Sequence, residues 1–190
     1  MRREQRGRPA NRPFSIRSIG SGMIGRLVAI VLVGLMGAAG PAMANEPKQI
    51  GTFKDWRAYT FEDAGGKICY VVSEPKKAEG NYSRRGDIYF LVTHRPSGKV
   101  FDEASVITGY TYKNGHEPTA TIGNQRFKFY SEGDAAWAFS ADEKNLVTAM
   151  KRGATMVVKG QSSRGTITTD TYSLSGVTAA MNAIDKECNR

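Results

Sequence analysis

The stretch SVITGYTYKNGHEPTATIGNQRFKFY, residues 105–130, decides the fold class. β-branched and aromatic residues dominate it, and two glycine-containing pairs, Asn114-Gly115 and Gly123-Asn124, interrupt it. Both residues of the first pair tolerate the left-handed conformation that a type I′ hairpin turn requires. It therefore predicts that a strand over residues 105–113 folds back on a partner at 118–122. The second pair leads into residues 126–130, where Phe127 and Phe129 face one way and Lys128 and Tyr130 the other.

Outward from this stretch the same grammar continues. Upstream, residues 53–61 read as a strand with blurred period-two contrast, and Asp63-Ala64-Gly65-Gly66 reads as a turn. Residues 68–72 form a buried strand carrying Cys69, and the breaker-rich residues 74–81 a surface loop. Residues 87–93 are a central strand, which Pro96-Ser97-Gly98 ends. Downstream, residues 135–139 are a short strand. Ser140-Ala141-Asp142-Glu143 has the capping-box pattern, predicting a helix over 142–151 that stops at a left-handed Gly153. Residues 155–159 and 166–172 are strands around the loop 160–165. Val177, Met181, Ile184 and Cys188 recur at helical spacing, so the last helix turns Cys188 toward the core. About eight short strands without β-α alternation predict a mainly β protein, an antiparallel sandwich or barrel with a short internal helix and a C-terminal helix. Trp56, Tyr70, Tyr89, Tyr110, Phe127, Phe129 and Trp137 are its core candidates. An aromatic sugar-stacking surface is the alternative reading of these rings.

The first 44 residues differ in kind. Seven arginines precede an apolar run of fourteen residues, 27–40, and Pro41-Ala42-Met43-Ala44 supplies a small-residue cleavage site. As a helix the run rises about 21 Å, short of the roughly 30 Å hydrocarbon core of a bilayer. Residues 1–44 are accordingly expected to be a signal peptide cut between Ala44 and Asn45, with an uncleaved anchor as the alternative. Residues 45–190 then form a single domain, periplasmic or secreted, touching membrane only through the transient leader. Seven of the 27 basic and one of the 18 acidic residues lie in the leader, which leaves 20 against 17 and a net charge of +3 for residues 45–190. The basic character of the whole chain thus belongs mostly to the leader, and a nucleic-acid partner drawn from overall charge falls away.

Cys69 and Cys188 are the only cysteines. An even count in an oxidising compartment points to one disulfide. Two free thiols remain an alternative, as does a metal site, for which further ligands at suitable spacing are wanting. A bridge would close a loop of about 119 residues, for which the chain-entropy estimate is about 4 to 5 kcal/mol, reducible by strain.

No nucleophile elbow, zinc-protease motif or phosphate-binding glycine loop occurs, and no cofactor is implied. His94, beside Arg95-Pro96, and His116, after a tight turn, both read as exposed residues rather than as catalytic bases. The basic residues Arg84, Arg85, Arg152 and Arg164 lie beside or near glycines in segments read as turns, where binding residues concentrate. If these loops converge they form a cationic site for phosphate, sulfate or carboxylate groups. Otherwise the arginines solvate loops or pair with local carboxylates such as Asp87 or Asp170.

Several motifs recur in one order: Trp56; residues 68–73, Ile-Cys-Tyr-Val-Val-Ser; Arg85-Gly86-Asp87; residues 92–96, Val-Thr-His-Arg-Pro; and residues 106–110, Val-Ile-Thr-Gly-Tyr. Ala136-Trp137-Ala138, residues 149–153, residues 163–166 (Ser-Arg-Gly-Thr) and residues 171–176 complete the set. In these the chain resembles the invasion-associated locus B family of exported bacterial proteins, over nearly all of residues 45–190. The resemblance implies an immunoglobulin-like β-sandwich and, through the family's name, a part in host-cell entry. It brings no catalytic residue. The expectation is a non-enzymatic binding or interaction domain acting on an envelope or host-surface component. An exported enzyme acting on an envelope glycan or peptide, and a self-assembling envelope component, are the rivals.

Overall fold

The computed structural model describes residues 46–190. The expected leader, residues 1–44, and its cleavage point at Ala44 and Asn45 lie outside the described residues. Among the described residues are eleven strands: β1 (Lys48–Phe53), β2 (Trp56–Asp63), β3 (Gly66–Ser73), β4 (Lys77–Gly80), β5 (Tyr89–Arg95), β6 (Val100–Ile107), β7 (Thr119–Ile122), β8 (Gln125–Glu132), β9 (Ala135–Ala138), β10 (Thr155–Gln161) and β11 (Ile167–Ser173). Helix α1 (Ser140–Arg152) joins β9 to β10, and α2 (Val177–Glu187) follows β11. The protein is mainly β with a short internal and a C-terminal helix, as its sequence predicts.

All pairings are antiparallel, in the order β1-β2-β3-β5-β6-β9-β8-β7-β10-β11-β4. β8 is the joint. Its first half pairs with β7 and its second half with β9, so one long strand passes between two layers. The layers share a core: the Phe90 ring of β5 meets Phe129 of β8 edge-on at 6.2 Å and Tyr172 of β11 at 5.8 Å. The Trp56 indole donates to the Ser173 carbonyl at 3.0 Å, tying β2 to β11. This two-layer arrangement accords with the sandwich expected from the resemblance.

Several local readings need correction. Asn114-Gly115 does form a turn, with Gly115 at φ 71° and His116 N–H donating to the Lys113 carbonyl, but it joins no hairpin. β6 stops at Ile107, because Gly109 at φ 69° turns the chain against Gly86, whose N–H donates to the Gly109 carbonyl at 3.0 Å. A side chain at 109 would stand 2.4 Å from the Gly86 oxygen. The chain then crosses to the other layer, where Tyr112 bridges to Ser162, and β7 pairs with β8 and β10 rather than with β6. The Gly123-Asn124 turn forms as predicted, with Ile122 opposite Gln125.

The strand expected over 53–61 forms as β2 from Trp56 onward, but residue 53 ends a separate strand, β1, and the two are joined at Lys54 (φ 54°) and Asp55, a turn that carries neither Gly nor Asn to announce it. Within the expected loop 74–81, β4 pairs with β11 as a short, exposed, charged edge strand, a form that resists further pairing. α1 is not opened by a capping box: its N-cap is Phe139, with no side-chain cap. Gly153 sits at φ −84°, not left-handed, and its lack of a side chain makes room for Ile122 and Leu174.

Of the core candidates, Trp56, Phe127 and Phe129 are buried. Tyr70, Tyr89 and Trp137 alternate with buried neighbours and lie half-buried on the outer face of their strands. Tyr130, 48 % exposed, stacks on Trp137 and tilts against Phe139. Phe90, Tyr112 and Tyr172 take further core places.

Candidate functional site

Three connections meet around a cleft of about 780 Å³: residues 81–88 before β5, residues 108–118 after β6, and residues 162–166 between β10 and β11. Arg84, Arg85 and Arg164 all line it, so three of the four arginines singled out in the sequence are brought together. Arg152 is not among them. It stands on a separate groove of about 420 Å³ with Arg126 of β8 and Asn145 and Thr148 of α1.

The three cleft arginines differ in state. The Arg85 side chain is 4 % exposed and forms a two-pronged pair with Asp170 of β11, both contacts at 2.6 Å, while its Nε donates to the Thr108 carbonyl. Its guanidinium lies over the rings of Tyr110 and Tyr82, 5.0 and 5.5 Å from their centroids. Tyr110 bonds Thr168 at 2.6 Å, and burial pushes its phenol up against the opposing influence of that bond and of Arg85. Gly160 makes this packing possible, since a side chain there would meet the Tyr110 hydroxyl at 2.5 Å. Pairing of Arg85 with Asp170 is the local alternative that the sequence left open. The contact of Arg85 with Tyr110 has no local sequence signal, since the two residues stand 25 positions apart.

Arg84 and Arg164 are exposed, and neither pairs with a carboxylate among the described residues. The cleft thus has a floor neutralised by its own carboxylate and a rim carrying two free cations. Exposed Ser163 stands beside Arg164, and Thr166 and Thr168 line the same wall. Three stretches that carry the family resemblance, at 85–87, 106–110 and 163–166, converge here.

Opposite expectation, His94 is fully buried. Its Nδ1 accepts the Asp102 N–H at 3.1 Å, so its Nε2 is the donor toward Asp185 at 2.8 Å. Nδ1 thus ties the ring to β6 and Nε2 ties it to α2. Arg190 pairs with both Asp102 oxygens and approaches Asp185 at 3.6 Å, and Lys67 of β3 pairs with Glu187 at 2.9 Å. A disulfide joins Cys69 of β3 to Cys188 at the end of α2. His116 is half-buried, and burial, with Lys113, draws its imidazole pKa down. Among the described residues no group of three or more His, Cys, Asp or Glu is placed to hold a metal, and no helix is long and apolar enough to cross a membrane.

Fold and cleft define a disulfide-clasped, two-layer β protein whose loops present free arginines above a buried ion pair. The family profile described as invasion associated locus B (IalB) protein matches residues 56–185, and the chain belongs to that family. Neither characterised proteins nor solved structures yield a match.

Proposed function

We propose that this protein is an exported, non-enzymatic binding module of the cell envelope or host surface, and that it engages an anionic group of its partner at the cleft of Arg84 and Arg164. The observation that carries this reading is the convergence of three loops on two uncompensated arginines above a fixed, neutral floor. Loops on a rigid sheet are where binding surfaces concentrate, and guanidinium forks match carboxylate, sulfate and phosphate oxygens. Floor rigidity matters because a pre-set site loses less freedom on binding. Export rests on the leader, which also gives Cys69 and Cys188 an oxidising place in which to join.

The enzymatic rival lacks a comparable support. His94 has the carboxylate partner that a base would need, but its second nitrogen is taken by a backbone amide. No specific observation favours self-assembly.

The reading is tested by titrating isotopically labelled protein with sodium sulfate and following its amide resonances. Shifts clustered at residues 84–86, 109–111 and 163–166 are expected. Shifts scattered over all basic surfaces, or none, would refute it. Amino-terminal sequencing of the exported form tests the leader separately, with Asn45 expected first.

A further inference from the structure

The geometry points to an acidic saccharide, a sugar ring bearing an anionic group, as the ligand class of the Arg84–Arg164 cleft. This rests on the binding function proposed above and deepens it. A cleft of about 780 Å³ is far larger than a lone inorganic anion needs and falls within the range of small-molecule sites. Its chemistry is divided in a way that a bare anion would not use. Two free cations stand on the rim. Below them the floor is polar and uncharged overall: Asp170 cancels Arg85, three of whose five N–H groups go to Asp170 and Thr108.

Ser163 and Thr166 bring hydroxyls to the cleft lining, which Tyr82 and Tyr110, the rings packed against the Arg85 guanidinium, also join. Such a floor suits neutral hydroxyl and ring oxygens, while the rim suits one acidic substituent. A phospholipid surface is the weaker fit. The exposed large apolar side chains Tyr130, Phe139 and Ile167 all lie outside the cleft lining, so the cleft itself offers a membrane no large apolar anchor. The outer aromatic face itself is a poor sugar platform, because Tyr59 stacks on Tyr70 at 5.2 Å and Tyr130 on Trp137 at 5.7 Å, each ring hiding a face against its neighbour.

Calorimetric titration of the purified protein with trigalacturonate, maltotriose, inorganic phosphate and vesicles containing phosphatidylglycerol tests this assignment. Trigalacturonate is expected to bind at least tenfold more tightly than maltotriose or phosphate. Arg84→Glu and Arg164→Glu should each weaken it at least tenfold, and Ser163→Ala should weaken it while leaving phosphate binding unchanged. All three are exposed positions, and melting curves matching the parent confirm that the variants fold. Phosphate binding as tight as trigalacturonate, and equally dependent on the two arginines, would overturn the saccharide assignment yet leave the anion site standing. Binding to vesicles alone would likewise overturn it. Absence of binding to every anion, or trigalacturonate binding indifferent to both arginines, would overturn the cleft function as well.

Discussion

Arg85 and Arg164 carry the same side chain and stand at one cleft, yet burial gives them opposite work. Arg85 is enclosed with Asp170, so removing its partner leaves an unpaired charge away from water, a loss of about 3–5 kcal/mol. Asp170→Asn should therefore lower the denaturant midpoint sharply, whereas Arg164→Ala, at an exposed position, should shift stability by less than about 0.5 kcal/mol. Equal midpoints for the two variants would contradict the division between floor and rim. Glu143 gives a residue-scale pH dependence. Burial, with Glu103 and Asp102 nearby, pushes its carboxyl up to about 7 from 4.5. Between these values the folded protein keeps a proton that the unfolded chain releases. The stability it contributes is full below about 4.5 and is lost as pH rises through about 7. Glu143→Gln should flatten the decline in stability between pH 5 and 8, and unfolding curves that keep the parent's slope would refute this.

At the scale of elements, α2 is held to the sheet by more than its apolar stripe of Val177, Met181 and Ile184. Cys188 is bonded to β3, Asp185 to His94 on β5, and Glu187 to Lys67 on β3. Cys188→Ser should cost about 2–5 kcal/mol, and amide exchange in α2 should accelerate before that in β5 and β6. Unchanged protection in α2 would contradict a clasp. The buried face of this helix is legible from periodicity: the spacing of Val177, Met181, Ile184 and Cys188 names a face, and that face is the buried one. The Asn114-Gly115 pair shows the converse. Its turn chemistry is local and correct, but the partner of β7 was decided elsewhere, by two glycines 23 residues apart whose backbones touch, Gly86 and Gly109. The β1–β2 turn was invisible because Lys54 takes a left-handed conformation that its residue type disfavours. Candidate-site residues divided likewise. Arginine beside glycine marked Arg84, Arg85 and Arg164, while Arg152, chosen by the same signal, ended a helix and belongs to a different groove.

For the whole molecule, charge placement matters more than charge total. The net charge of +3 on residues 45–190 is small, and most basic side chains among the described residues are exposed. A polyanion held by general attraction would respond to any pair of surface arginines alike, and salt would screen each equally. The Arg126 and Arg152 groove supplies the matched comparison: two arginines lining one groove, and the same change in charge on reversal. The most direct measurement is retention on a heparin column at physiological ionic strength, comparing the Arg84→Glu/Arg164→Glu pair with the Arg126→Glu/Arg152→Glu pair. The cleft account predicts that the first pair abolishes retention and the second leaves most of it. Equal losses from both pairs, or undiminished retention of the first, would contradict it.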